Sequence, residues 1–193
     1  MSASYTTEEI EHLRARWLTP HGQKVRQDVL VTALSNADQW PDSVKKDPFP
    51  GSPIADYGDF YTDLRGIDLS GTDLSGGIFC FADVSYGNFS GSVLNDSSFQ
   101  CGLLDRADFS RSSMERADLL QIIADGADFS RCNLADSVMM CVRLLGCTFA
   151  GSNLSRSMMD NGSFSCCVMD GADMEGADLL GARISQVRRR QRS

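Results

Sequence analysis

The sequence repeats every five residues over most of its length. From Leu64 to Ile184, every fifth residue is Leu, Phe, Met, Val or Ile, with a single Ala, so 25 positions share one phase. An α-helix requires a period near 3.6 and an alternating strand a period of two. Neither accounts for a period of five. The chain between residues 62 and 186 must therefore change direction once in every five-residue unit.

A second column of mostly small residues lies two positions before the large apolar one, as at Ala107, Ala127 and Ala177. Residues two apart in extended backbone point to the same side, so each unit directs one small and one large side chain inward. The residues that follow are mostly Ser, Gly, Arg and Asp, which favour turns. A chain that extends briefly, turns and repeats will coil, and stacked coils bury a continuous core.

These units resemble a known repeat family. Residues 107–111 (Ala-Asp-Phe-Ser-Arg), 127–131 (Ala-Asp-Phe-Ser-Arg) and 177–181 (Ala-Asp-Leu-Leu-Gly) are similar to the A-[DN]-[LF]-x-x pattern of pentapeptide-repeat proteins, and the pattern covers about two thirds of the chain. The resemblance implies an all-β solenoid: a right-handed quadrilateral parallel β-helix with four units in each coil. About six coils are expected, with a length of roughly 30 Å at the usual strand spacing.

The residues before the repeats predict two short α-helices. The first is predicted over residues 6–17, because Thr6 and Glu9 have the spacing of a capping box and the apolar residues up to Trp17 share one face. Thr19 followed by proline begins a second helix, which we expect to end near Ser35. Two short helices with one apolar face each do not fold alone. We therefore expect this pair, or the segment after it, to cover the N-terminal end of the coil.

The chain thus divides into four predicted segments. Residues 1–36 form an N-terminal helical cap, 37–61 a Pro-rich linker leading into the first coil, and 62–186 the repeat β-helix, while 187–193 form a basic C-terminal tail. The tail contains four arginines and could bind nucleic acid or an acidic surface. Short terminal basic runs are more often solvated, and we favour that interpretation.

Charge is unevenly distributed along the chain. Residues 56–186 contain 19 acidic against 8 basic residues, a net charge of −11, whereas the whole chain carries −8. The sequence has no run of 18 apolar residues and no signal-peptide pattern at its N-terminus. We expect a cytoplasmic protein, of bacterial type by its resemblance, with no membrane span.

The sequence offers little support for catalysis. The histidines, His12 and His21, lie in the predicted helices without a nucleophile or metal partner nearby in sequence. The aspartates that precede the large residues are predicted to point outward and to accept turn N–H groups. The seven cysteines form no CxxC motif. Cys147 and Cys167 should stack in adjacent coils, close enough for a disulfide bond. An odd number of cysteines and the absence of an export signal nevertheless favour reduced thiols. We predict no enzyme activity, no cofactor and no metal site.

Two sets of outward residues are candidate binding surfaces. Residues 20 apart should stack when four units make a coil, and this places several outward apolar residues near one edge. Such a concentration is unusual on a monomer and is typical of a contact surface. Alternatively, the N-terminal segment folds over these residues, or they are scattered on the surface. The predicted apolar interface comprises Leu120, Ile123, Val138, Met140, Leu145 and Met158, and the predicted acidic surface comprises Asp68, Asp108, Asp128 and Asp173.

Two functions follow from these surfaces. The first is a non-enzymatic protein–protein interaction module or scaffold built on a rigid acidic β-helix, with self-association as a homodimer as a further alternative. The second comes from the resemblance, because some pentapeptide-repeat proteins mimic DNA, bind type II topoisomerases such as gyrase, and protect them from inhibitors. The predicted partner is a protein, with a DNA-binding enzyme such as a type II topoisomerase as one candidate, and no direct nucleic-acid binding is expected. Those DNA mimics usually carry a C-terminal dimerising element, which residues 187–193 are not expected to form; the alternative is that the last coils pair end to end. Apolar residues also take several of the acidic positions.

Overall fold

The computed structural model describes residues 5–35 and 62–185. Helix α1 spans Thr7–Ala15 and helix α2 spans Pro20–Leu34, joined by a 3-10 turn over Arg16–Leu18. The predicted linker and tail lie outside the described residues, and the four-segment division stays a prediction. No helix within the described ranges is long and apolar enough to cross a lipid bilayer.

Both helices begin where the sequence predicts. The Thr6 hydroxyl accepts the Glu9 N–H while the Glu9 carboxylate accepts the Thr6 N–H, which completes the capping box. The Thr19 hydroxyl accepts the Gly22 N–H at the start of α2. Helix α1 ends earlier than predicted because the chain tightens into the 3-10 turn. The first turn of α2 packs closely against this 3-10 turn. Only glycine fits at position 22, since a Cβ there would lie 2.7 Å from the Trp17 Cα.

The repeat region is built from short parallel strands. Its assigned strands are β1 (Thr62–Asp63), β2 (Ala82–Asp83), β3 (Arg143–Leu145), β4 (Ser163–Ser165) and β5 (Arg183–Ser185). β1 pairs with β2, and β3, β4 and β5 form a three-stranded parallel sheet in that order. Each paired residue in these strands is 20 positions from its partner.

Parallel bridges between the strands continue the same register. Asp68 pairs with Asn88, and the series extends to Met158 with Asp178, again with an offset of 20 residues. A coil of 20 residues contains four five-residue units. The described part of the repeat region is therefore β-helical, and residues 20 apart lie directly above one another.

The turns use left-handed backbone at a fixed position of each unit. φ is +59° at Arg111 and +72° at Gly126, for example. A non-glycine residue in this region is strained. The strain is offset by hydrogen bonds that hold the turn on both sides: the Ser112 N–H donates to the Phe109 carbonyl at 3.1 Å, and the Arg111 N–H donates to the next coil at the Ser130 carbonyl, 2.9 Å away.

The inward columns form the core predicted from the repeat. Phe89, Phe109, Phe129 and Phe149 lie above one another with ring centroids 4.8, 5.2 and 5.1 Å apart, and all four are fully buried. Ala124 leaves a large position underfilled, but its inward partner is Ile122 where most units have a smaller residue, and both are fully buried. Volume is redistributed within the unit, as close packing requires.

The helical pair packs against the first coil. Trp17, Val25, Val29 and Ala33 belong to the same buried apolar cluster as Leu64. Backbone contacts join the two parts as well, since the Ile78 N–H donates to the Ala33 carbonyl at 3.1 Å. Burial decreases at the opposite end of the described coil, where Leu180 is 77% exposed and Ile184 44% exposed.

Candidate interaction surfaces

The structure places four of the six predicted interface residues on one side of the coil. We call this the Val138 side; it comprises the outward residues of the units whose large inward residues are Phe79, Phe99, Leu119, Met139, Met159 and Leu179. Val138 and Met158 are bridge partners in adjacent coils. Beside them, the Gln121 N–H donates to the Met140 carbonyl, which stacks the turn of Leu120 on that of Met140.

The other two predicted interface residues lie on the adjoining side. Ile123 pairs with Leu103 above it and Arg143 below it. Arg143 interrupts the apolar column and forms an ion pair with Asp125 at 3.3 Å. Leu145 is 48% exposed and lies one coil below Asp125, so the Arg143–Asp125 pair separates it from Ile123. On the Val138 side, Met158 is 43% exposed, whereas Leu120, Val138 and Met140 are half-buried.

The predicted acidic surface is divided between two sides. Asp68, Asp108 and Asp128 stand in one bridge column, whereas Asp173 stands in the column of the next side. Their carboxylates serve the turns: Asp108 and Asp128 each accept the N–H two residues later at 2.8 Å, and Asp68 and Asp173 do so at 3.1 and 3.0 Å. The predicted turn-bonding role of these aspartates is therefore confirmed.

At the corner that follows the side of Asp173, acidic residues are paired with arginines. Asp96, Arg116, Asp136 and Arg156 alternate in one column, and Arg116 reaches Asp96 at 2.7 Å while Arg156 reaches Asp136 at 2.6 Å. Hydrogen bonds from these guanidinium groups hold the pKa of Asp96 and Asp136 below its usual range. The four side chains of this column carry no net charge, and the negative charge of the coil is therefore not uniform.

Sequence reasoning missed a buried ionic cluster where the helices meet the first coil. Arg16 donates to both carboxylate oxygens of Asp63 at 2.6 and 2.7 Å, and to the Arg65 carbonyl at 2.8 Å. The Arg65 Nε donates to Asp63 at 3.0 Å, and the Trp17 indole N–H donates to the Arg65 carbonyl at 2.8 Å. One signal was present in the sequence: Arg65 is the only basic residue directly after a large inward residue.

The two carboxylates of this cluster titrate in opposite directions. Burial works to raise the pKa of Asp63, but the hydrogen bonds and charges of Arg16 and Arg65 outweigh it and leave that pKa below its ordinary value. Burial raises the pKa of Asp83 to about 6, because its hydrogen bonds from Ser85 and the more distant Arg65, 3.9 Å away, do not compensate fully.

We expect Asp83→Asn to remove a specific pH dependence of stability. The folded-state pKa of Asp83, about 6, lies above the ordinary value of 3.8. The folded protein therefore binds the carboxyl proton of Asp83 more tightly than the unfolded chain does. The stability that this protonation contributes is fully present below pH 3.8 and is lost as the pH rises through 6. The free energy of unfolding of the wild type should fall by about 3 kcal/mol relative to Asp83→Asn between a pH well below 3.8 and a pH well above 6.

Urea unfolding of both proteins at several pH values measures this difference. Asn keeps the oxygen that accepts the Ser85 N–H at 3.0 Å, so the turn should persist. Parallel pH profiles for the two proteins would show that Asp83 does not titrate in this way.

The cysteines that the sequence places in the inward columns are buried there, as predicted. They are Cys132, Cys147 and Cys167, and no disulfide joins Cys147 to Cys167 although they stack in adjacent coils. Burial raises the pKa of the Cys132 thiol to about 12. Cys141 and Cys166 are exposed at turns. Among the described residues, no group of His, Cys, Asp and Glu side chains has the arrangement of a metal site.

The fold and these surfaces together define the class of protein. It is a β-helical solenoid of five-residue units, each of which directs two side chains into the core and the others outward. The family profile described as "Pentapeptide repeats" matches residues 61–96, 103–139 and 124–156, in 8 copies. The chain belongs to the pentapeptide-repeat family.

Solved structures of pentapeptide-repeat proteins are similar to this chain. One is a trypsin-treated variant of QnrB1, a plasmid-mediated fluoroquinolone resistance protein, with 24% identity, 61% of this chain and 78% of that chain covered, and a TM-score of 0.42. Another is Rfr23 from the cyanobacterium Cyanothece 51142, with 17% identity, coverage of 65% and 86%, and a TM-score of 0.38. A third, from the Arabidopsis thaliana thylakoid lumen, has 33% identity, coverage of 57% and 66%, and a TM-score of 0.26. A comparison with curated proteins gives no match.

Proposed function

We propose that this protein is a non-enzymatic interaction module that binds a protein partner through the Val138 side. The observation that carries the proposal is the stacking of outward Val138 and Met158 in adjacent coils, with Met140 in the same unit as Val138 and with Met158 43% exposed. Outward apolar residues concentrated in this way favour a contact surface over a purely solvated one. The proposed scaffold is a right-handed quadrilateral β-helix of about six coils in the cytoplasm, with the helical pair as its N-terminal cap.

A rigid scaffold suits this role. Each coil is joined to the next by backbone hydrogen bonds at regular positions, such as the Val138 N–H to the Ala117 carbonyl at 2.9 Å and the Met158 N–H to the Ser137 carbonyl at 2.9 Å. The backbone of such a surface is held in place before binding, which reduces the entropy lost on association. The aspartates, which could otherwise serve acid–base chemistry, are used to hold turns.

We expect Met158→Asp to abolish binding to the partner without unfolding the protein. Asp occupies the same bridge column at positions 118 and 178, so it suits this backbone. A charge at the centre of an apolar contact is desolvated on binding, and a loss of at least about tenfold in affinity follows. The measurement is affinity capture from the source cell extract, with quantification of each captured protein by mass spectrometry.

Thr148→Asp is the matched control. Position 148 is an outward position of another side and follows Asp128 in its column. The control should capture the same proteins as the wild type, and circular dichroism should be unchanged for both variants. Equal capture by the wild type and Met158→Asp would contradict the assignment of the Val138 side.

The acidity of the coil favours a second candidate function, DNA mimicry toward a type II topoisomerase. Residues 62–185 contain 17 acidic and 8 basic residues, a net charge of −9. An enzyme that binds DNA phosphates can bind a negative rod of similar size. A supercoiling assay with purified gyrase, with and without an inhibiting drug, tests this function. Inhibition or drug protection that weakens steeply with salt supports mimicry, and no effect at micromolar protein leaves the interaction module alone.

A further inference from the structure

The Val138 side carries charge of one sign. Its outward positions include Asp118, Asp160 and Asp178, and none of its outward positions between residues 78 and 181 is occupied by Lys or Arg. The eight arginines of residues 62–185 all belong to other sides and corners. The other sides mix both signs, as in the Asp96–Arg116 pair. This side therefore combines an apolar centre with an unmixed negative charge.

The carboxylates and the apolar side chains follow an order along the coil axis. One bridge column reads Asp118, Val138, Met158, Asp178 through four successive coils. The column beside it reads Leu120, Met140, Asp160 and Leu180 in the same four coils. Carboxylates thus stand at both ends of a strip formed by the bridge column, whose centre is apolar, and Asp160 lies beside that centre.

The acidic side chains of the bridge column are held in place. Asp118 accepts the Leu120 N–H at 2.9 Å, and Asp178 accepts the Leu180 N–H at the same distance. Asp178 is exposed and Asp118 is half-buried. Because these bonds orient the carboxylates in advance, a cationic group of a partner would meet an ordered acceptor at each end of the strip.

We infer, on the basis of the proposed function, that the Val138 side binds a basic amphipathic helix of another protein. The rise of one helical turn, about 5.4 Å, is close to the spacing of adjacent coils, about 4.8 Å, so successive turns meet successive coils. From Asp118 to Asp178 is three coil steps, about 14 Å, or about ten residues of helix. Apolar residues at i, i+3, i+4 and i+7 cover the centre of the strip, and Lys or Arg at either end meets the carboxylates.

Backbone hydrogen bonding distinguishes a helix from a strand as the occupant. The N–H groups of Val138 and Met158 already donate to carbonyls of the preceding coil. This side therefore offers side chains rather than a sheet edge. A strand laid across this side would form no backbone hydrogen bonds with it, whereas a helix makes its backbone hydrogen bonds internally. Charge also disfavours a second copy on the same side, because two sets of three carboxylates would repel each other.

Two synthetic peptides of about four helical turns test this inference. Both carry Leu at i, i+3, i+4 and i+7; one has Lys at the flanking positions and the other has Glu there. Fluorescence anisotropy with labelled peptide measures the Kd for the full chain. We expect the basic peptide to bind and the acidic peptide not to bind. The contact is small, so its affinity should be that of a transient complex.

Two triple variants separate a local site from general attraction to an acidic protein. The variant Asp118→Asn/Asp160→Asn/Asp178→Asn should raise the Kd of the basic peptide by about tenfold and reduce its salt dependence. The variant Asp68→Asn/Asp108→Asn/Asp128→Asn removes the same charge from another side, and its Kd should stay within about twofold of the wild type. Asn keeps the turn-accepting oxygen at Asp118 and Asp178 and at all three control positions.

Equal losses in the two triple variants, or equal binding of the acidic peptide, would overturn the inference. Its failure is distinguishable from failure of the proposed function, which depends on the Met158→Asp capture experiment. If capture depends on Met158 while the peptides show no discrimination, the interaction surface stands and the basic helix is wrong. If neither experiment depends on this side, both are wrong.

Discussion

Arg16→Met is expected to lower the free energy of unfolding by about 3–5 kcal/mol, the cost of breaking a buried ion pair by removing one partner. Arg16 is 8% exposed and Asp63 is 3% exposed. The substitution removes two charge-assisted hydrogen bonds to Asp63 and one to the Arg65 carbonyl. Asp63 remains next to Arg65, but a buried carboxylate that loses part of its hydrogen bonding is costly.

Arg156→Met provides a control with nearly identical geometry. Arg156 also donates two hydrogen bonds to one carboxylate, that of Asp136, at 2.7 and 2.6 Å. Its side chain is 65% exposed, so solvent screens the pair and its removal should have little measurable effect on stability. Urea unfolding followed by far-ultraviolet circular dichroism compares the two variants. A loss of similar size in both would show that burial does not set the strength of the Arg16 pair.

Phe129→Ala is expected to lower the free energy of unfolding by about 3–5 kcal/mol. Phe129 is fully buried between Phe109 and Phe149, with ring centroids 5.2 and 5.1 Å away. Hydrogen bonds between coils fix the spacing above and below it, such as the Phe109 N–H to the Asp128 carbonyl at 2.8 Å. The surrounding coils therefore cannot collapse into the space that the ring leaves.

Phe129→Leu tests whether the volume or the aromatic stack matters. Leu is the residue of the same column at Leu69, so its shape suits the position. We expect a loss of about 1–1.5 kcal/mol for Leu, well below that for Ala, in the same denaturation experiment. Equal losses for Leu and Ala would mean that ring stacking, rather than filled volume, stabilises this part of the core.

The sequence predicted those features that depend on neighbouring residues. The capping box of Thr6 and Glu9 is a contact across three residues, and it is present. The inward position of Phe129 and the outward position of Asp128 follow from the geometry of extended backbone, and both are as predicted. The end of α1 was less accurate, because the 3-10 turn over Arg16–Leu18 depends on packing rather than on local preference.

The candidate surfaces were predicted only in part. The offset of 20 residues correctly places Val138 above Met158. Burial within the surface depends on the length and direction of neighbouring side chains, so half-buried Met140 differs from more exposed Met158. Likewise, the separation of Leu145 from Ile123 depends on the ion pair of Arg143 with Asp125, which joins residues 18 positions apart.

By itself, the sequence determined which residues of the repeat face the core, because a five-residue period with two inward positions leaves only one arrangement that buries the apolar columns. It could not determine the ionic cluster of Arg16, Asp63, Arg65 and Asp83, whose members come from a helix and from two successive coils. Docking of the helices on the first coil brings Arg16 to Asp63 across 47 residues of sequence and excludes water from both. Only the tertiary structure decides such a contact, because the cost of burying a charge and the partner that offsets it both arise when distant segments meet.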